Sequence, residues 1–577
     1  MRTKPRASAV TGEASLSVPG CYNSYEFMGA HPAQQFGEQG WMFRVWAPNA
    51  RAVSVVGDFN GWDSATHPMI RAQGGIWYLF IPGLQQYDTY QYAVCTLAGE
   101  WLFKADPYAF HAATRPAAAS KLYALEGYQW GDSHWADYRK RMVGRDRPLN
   151  TYEVHLGSWR RTAEGEVISY RTIASYLVPY VKEMGYTGVL LMPVGEHPDD
   201  ESLGYQESGC FAVTSRFGTP TDFMYLVDQL HQAGVSVVMD CTSLRFSTAV
   251  FGLSRFDGTP CYGVPSPEDP RRELEQCDFS RPQVENFAVS YVFFWMRMFH
   301  LDGFFYTNVH DMDPGLVRRI TAELRTAFPY RWESIGTPSV VGDTGRYWYA
   351  DWTRAMLERI CDQSCTDPIL SCAPAPTPMC TIPISHDIVS APYPSLVARM
   401  PGDAEQKFAC ARAFYLFLLC QPGQKLTMMG TEFGQWNGWN CLQSLDWHLL
   451  ETGFYRSHQR FFRQANELYL TTSPLWRRRC AESLRTLQDN GADQTVVQSL
   501  RDGRKEYLMA ANFSAEQQNL AIPVEKSAYE VIFSTDEWEF GGQGRGSTGV
   551  VTVRDGILEI SVPPATTFVL RSTKKKL

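Results

Sequence analysis

The side chains able to act as acids, bases or nucleophiles fall at or near the ends of short apolar runs. Asp240 closes "VSVVMD", His386 and Asp387 close "CTIPISHD", Glu333 lies in "YRWES", and Glu432 lies in "KLTMMGTEFG". Two carboxyl groups held at a fixed separation can serve as proton donor and nucleophile, and a neighbouring histidine can bind or relay a proton. Two run ends lack that chemistry. "GFFYTN" ends on Thr307 and Asn308, and Trp332 stands before Glu333. A threonine hydroxyl is a weak nucleophile without an adjacent base, and an indole only donates a hydrogen bond. Cys361, Cys365, Cys372 and Cys380 lie close in sequence but lack the tighter Cys-x-x-Cys pair of a zinc site, so neither a metal nor a cofactor is expected.

These positions take their meaning from the elements that carry them. From about residue 150, eight apolar β-runs ("NTYEVHLGSW", "TGVLLMPV", "VSVVMD", "GFFYTN", "YRWES", "RYWYADW", "CTIPISHD", "KLTMMGTEFG") alternate with helical periods such as "TIASYLVPYVKEMG" and "DFMYLVDQLHQAG". That alternation predicts a central (β/α)8 TIM barrel, whose site lies at the C-terminal strand ends. Gly185 and Gly234 stand where helices should stop. Before the barrel, "FRVWAPNARAVSVVGDFNGWD" joins strand formers (Phe43, Val45, Val53, Val55, Val56) through turns at Pro48-Asn49 and Asn60-Gly61. An N-terminal immunoglobulin-like β-sandwich is expected, with Trp62 in its core. After about residue 475 short strands return as a C-terminal β-sandwich. The expected division is a flexible N-terminal tail (1–20), a first sandwich (21–140), the barrel (141–475) and a last sandwich (476–577).

A chain of 577 residues exceeds what one hydrophobic core supports. The formal net charge of −8 disfavours a nucleic-acid partner, and Lys574–Lys576 reads as a solvated end. No run is apolar enough to cross a bilayer, and the first twenty residues lack an apolar stretch of signal-peptide length. Together with the scattered cysteines this predicts a cytoplasmic protein without a membrane partner.

Several motifs carry a resemblance. "KADPYAF", "YEVHLGSWRR", "GYQESGCFAVTSRFGTPTDF", "GLSRFDGT", "HLDG", "SHDIV", "MPGDAEQKFA" and "GTEFGQWNGWN" are similar to those of the bacterial 1,4-α-glucan (glycogen) branching enzymes of the α-amylase clan. The resemblance runs from about residue 20 to the end. It implies a carbohydrate-binding module, a catalytic barrel and a C-terminal β-domain. It also implies a retaining double displacement by two carboxyls about 5–5.5 Å apart, with a third carboxylate binding the sugar.

Matching the family's motifs position by position, the nucleophile should stand at Thr307, its supporting arginine at Phe305 and the acid/base at Trp332. None of the three residue types is preserved. Asp240, His386 and Asp387 are preserved, as are Tyr205 and Gln206 of the sugar-contacting Gly-Tyr-Gln, whereas Leu203 replaces a tryptophan and Arg245 a histidine. Only 25 positions separate Thr307 from Trp332, shorter than the family's usual excursion.

The resulting expectation is a branching-enzyme homologue of glycogen metabolism without an intact catalytic set, binding α-1,4-glucan or glycogen through Tyr205, Gln206, Asp240, His386 and Asp387. Its protein partner would be an active branching enzyme or another glycogen enzyme. Two alternatives stand beside it. One is an active branching enzyme using relocated carboxylates among Asp311, Asp313, Glu333 and Asp387. The other is a protein-binding regulator without glucan affinity. Asp240 and the His386–Asp387 pair also have structural readings, Asp240 with Arg245 as partner and the pair bonded to each other. Glu432, His155 and His197 read as structural.

Overall fold

The computed structural model describes Leu16 and residues 22–142, 145–241, 245–265, 273–306, 314–329, 334–336, 346–389 and 394–573. The expected tail (apart from Leu16), Lys574–Lys576, and Thr307, Asp311, Asp313, Trp332 and Glu333 lie outside the described residues.

The first module is a sandwich of two antiparallel sheets. One runs Gly29–Gln35, Glu38–Trp46, Ile76–Pro82, Ile70–Arg71. The other runs Ala52–Gly57, Thr89–Cys95, Ser120–Lys121, His111–Ala112, with Trp101–Lys104 also paired to Thr89–Cys95. Phe43 meets Tyr90 edge-to-face between the sheets, at 5.2 Å between ring centroids. Phe43, Val45, Val53, Val55 and Val56 are all buried. Trp62 departs from its expected place in the core: it is 36% exposed. Its backbone turns into the left-handed region (φ 62°), and its indole N–H reaches back to Asp58 Oδ1 at 2.9 Å. The turn that satisfies the indole carries the ring out of the sandwich. Lys104 fastens this module to the barrel by donating to the carbonyls of Val250, Gly252 and Ser254.

Eight parallel strands close into the barrel: β1 (Asn150–Val154), β2 (Gly188–Leu191), β3 (Ser236–Cys241), β4 (Gly303–Tyr306), β5 (Ser334–Gly336), β6 (Arg346–Trp348), β7 (Cys380–Ile384) and β8 (Gln424–Met428). Among the described residues, a major helix follows every strand but β5. These are α1 (Tyr170–Glu183), α2 (Pro220–Gln232), α3 (Pro282–Met298), α4 (Pro314–Ala327), α5 (Ala350–Cys361), α6 (Ala404–Cys420) and α7 (Gly453–Thr471). Start and stop signals are explicit. Thr219 and Asp222 form a capping box around Pro220 at the start of α2, and Asp403 and Gln406 do the same for α6. Gly185 ends α1 at φ 76°, with its N–H on Lys182 and that of Tyr186 on Val181, the paired bonds of a Schellman stop.

Within the described part of β5, Ile335 pairs with Phe305. The last domain pairs a six-stranded sheet with the two-stranded Gln518–Pro523 and Ile557–Val562. Val497, Leu508, Tyr529, Ile560, Phe568 and Leu570 form its core. It docks on α6, where Arg412 donates to the Thr535 carbonyl and Thr567 to that of Ala413.

Candidate functional site

The rim is built from the upper ends of β1, β3, β4, β6 and β7. On β1, Glu153 is wholly buried, beside Leu190 of β2 and Met428 of β8 in the ladder. A buried carboxylate requires donors. Both come from the segment after β7: His386 brings its backbone N–H to Oε2 at 2.9 Å and its ring Nδ1 to Oε1 at 2.7 Å. Burial works against the charged imidazole, but the Glu153 charge and hydrogen bond outweigh it, and the His386 pKa rises to about 9. His386 is therefore an imidazolium at neutral pH, held by a carboxylate beneath it.

Asp240, at the end of β3, is also wholly buried. Tyr205 donates its hydroxyl to Asp240 Oδ2 at 2.5 Å, and its ring lies 6.0 Å from that of His386. Local backbone conformation aims this tyrosine. Leu203 and Gly204 both take left-handed φ values, 57° and 87°. A Cβ on Gly204 would sit 2.5 Å from the Pro193 carbonyl oxygen, so only glycine turns the chain there.

Asp387 accepts from Ser385 Oγ and lies 4.0 Å from Arg354. The reading of His386 and Asp387 as a pair bonded to each other is thus replaced by separate anchors, Glu153 below and Ser385 alongside. Gln206 donates to Glu273 at 3.3 Å. Arg245 is buried and opens a short strand, Arg245–Ser247, that pairs with Leu274–Cys277.

Phe305 of β4 fills the barrel interior. It packs with Leu190 of β2 and Leu426 of β8, and its ring lies 4.3 Å from that of Trp348 of β6. Four side chains from alternate strands make one interior layer, the usual way such a barrel is filled. Val238 packs against the same layer.

Glu432 lies elsewhere. Its carboxyl is buried against the hydroxyls of Tyr152 and Tyr180, at 2.9 and 2.5 Å. Burial raises its pKa to about 7, against the lowering effect of those hydrogen bonds. His155 and His197 are satisfied by Ser158 and the Gly195 carbonyl, each at 2.8 Å. Among the described residues no cluster of His, Cys, Asp and Glu could hold a metal ion.

The structure thus gathers Tyr205, Asp240, His386 and Asp387 at one rim, with Gln206 next in the chain. Two members escaped sequence reasoning: Glu153 and Trp348. Glu153 had a signal, a lone acid inside the apolar run "NTYEVHL". Trp348 had none beyond its run. Chemically, the described rim offers a cation, carboxylate oxygens and a phenol, a set suited to gripping hydroxyl groups.

Comparison with known proteins gives a consistent picture. "Carbohydrate-binding module 48 (Isoamylase N-terminal domain)" matches residues 27–109. "Alpha amylase, catalytic domain" matches 159–251, and "Alpha amylase, C-terminal all-beta domain" matches 487–573. The 1,4-alpha-glucan branching enzyme GlgB of Desulfitobacterium hafniense (strain Y51) is 35% identical, covering 95% of each chain. The same enzyme of Bacillus cereus (strain G9842) is 35% identical over 96% of this chain and 94% of the relative. The first alignment spans 616 positions against the 577 residues of this chain, so segments of the relative have no counterpart here. Among solved structures, a putative alpha amylase from Salmonella typhimurium superposes with a TM-score of 0.69 at 17% identity, covering 95% of this chain and all of that one. Pullulanase from Bacillus acidopullulyticus superposes at 0.72 and 17% identity, covering 96% and 76%. These two show the shared fold.

Proposed function

This chain belongs to the 1,4-alpha-glucan branching enzyme family, and from that membership we propose that it binds α-1,4-glucan without catalysing branching. The observation that carries the proposal is the Phe305–Trp348 contact. An arginine supporting a nucleophilic carboxylate belongs at Phe305 by the family pattern, and an apolar layer occupies that place. The sequence agrees: Thr307 and Trp332 supply no carboxyl group, and no acidic residue occurs in Gly303–Tyr306 or Ser334–Gly336. Losing one member of a cooperating catalytic set already costs several orders of magnitude.

Glucan binding rests on the retained polar rim of Tyr205, Gln206, Asp240, His386 and Asp387. Trp62 and Trp101 of the first module are 36% and 42% exposed and add candidate stacking faces for sugar rings. The limits 21–140, 141–475 and 476–577 remain our proposed division. All thirteen described cysteines are free, which suits the cytoplasm. No helix of the described residues is long and apolar enough to cross a membrane. An active branching enzyme or another glycogen enzyme is the proposed protein partner.

Co-sedimentation with glycogen tests the binding half. The wild type is retained, and Tyr205→Ala, which removes the donor to Asp240, weakens retention about tenfold. A wild type that stays in the supernatant contradicts the proposal and favours a regulator without glucan affinity.

A further inference from the structure

Outside the barrel rim, a cavity of about 190 Å³ opens where the start of α6 meets the C-terminal sandwich. Pro401, Phe513, Pro564 and Ala565 supply apolar walls, and Gln363 and Gln406 supply amides. Among the described residues, no charged side chain lines it. Both amides keep free capacity. Gln363 spends its Nε2 on the Ile360 and Phe513 carbonyls, leaving Oε1 without a partner among the described residues. Gln406 spends its backbone N–H and Oε1 on the α6 capping box, leaving the two hydrogens of Nε2.

We propose that this cavity is a second glucan contact, taking one neutral pyranose ring of an α-1,4-glucan. The lack of charge in the lining selects against ionic ligands, whose desolvation would go uncompensated. A volume below the roughly 300–1000 Å³ of sites for drug-sized molecules limits the occupant to about one ring. A sugar ring presents a C–H face and a hydroxyl edge. The proline and alanine walls match the first, and an open acceptor and an open donor match the second. The site rests on the glucan-binding reading above but not on the rim residues.

Affinity electrophoresis through glycogen, with maltotriose titration alongside, tests it in the full chain. Ala515 lines the cavity and is exposed, so Ala515→Trp should plug it without disturbing a packed core. Both that variant and Gln363→Leu are expected to lose about tenfold in glycogen retardation, and maltotriose titrates one fewer site. Gln363→Leu decides the matter if Ala515→Trp fails to fold, as judged by its melting transition. Wild-type-like retardation of a folded plugged variant overturns the site and leaves the rim reading standing. Loss in the plugged variant with none in Tyr205→Ala supports the site and contradicts the rim. A wild type that glycogen does not retard overturns both.

Discussion

Phe305 and Trp348 come from strands separated by β5, yet their rings approach to 4.3 Å inside the barrel. With Leu190 and Leu426 they form one apolar layer of the barrel interior. Phe305 thus acts as a packing residue, its ring one of four side chains that fill this layer.

Phe305→Arg places a cation in that apolar layer, beside Asp240 in the ladder. Desolvating the charge and losing the ring packing are expected to cost on the order of a few kcal/mol, and the urea midpoint should fall accordingly. Phe305→Leu keeps the layer apolar and is expected to cost only about 1–1.5 kcal/mol. Equal midpoints for the two variants would mean that the layer is not packed as described.

The Glu153–His386 pair gives a pH signature. The folded His386 pKa is raised to about 9, above the ordinary value of about 6.5. Its stabilisation is therefore complete below about pH 6.5 and is lost as pH rises through 9, with an upper bound of roughly 3 kcal/mol. Denaturation from pH 6 to 10 should show that decline in the wild type, and Glu153→Gln should flatten it. An unchanged slope in the variant contradicts the pairing.

How far the sequence discloses this site depends on the residue. Strand positions were legible because β-runs and helical periods alternate eight times, and the stops at Gly185 and Gly234 fall where glycine alone is comfortable. The places of Asp240 and His386 at the rim were legible because they close strand runs of a barrel, and that of Tyr205 through the motif Gly204-Tyr205-Gln206 of the resemblance. The tie between Glu153 and His386 was not, because it joins β1 to the end of β7 across 233 positions and no local pattern encodes a contact of that span. The Phe305–Trp348 layer was hidden for the same reason. Trp62 misled because an aromatic ring after a strand usually packs inward, whereas here its indole N–H is satisfied at the surface by Asp58.

Glu432 titrates in the opposite part of the range. Its folded pKa is raised to about 7, above the ordinary glutamate value of about 4.3. The folded state thus favours the protonated form, and stability declines as pH rises through 7. Glu432→Gln keeps an acceptor for Tyr152 and Tyr180 while removing the charge. It should match the wild type near pH 4 and exceed it at pH 8 by roughly 1–3 kcal/mol. A variant less stable than wild type at pH 8 would show that the carboxylate itself is needed there.

The central claim, glucan binding without branching, is tested most directly by incubating purified protein with amylose and counting new α-1,6 linkages while following the iodine colour. The account predicts no linkages above the blank and an unchanged colour, at protein concentrations where glycogen is bound. Linkages that accumulate with time, and disappear when Asp311, Asp313, Glu333 or Asp387 is replaced by its amide, would contradict it and establish an active enzyme with relocated carboxylates.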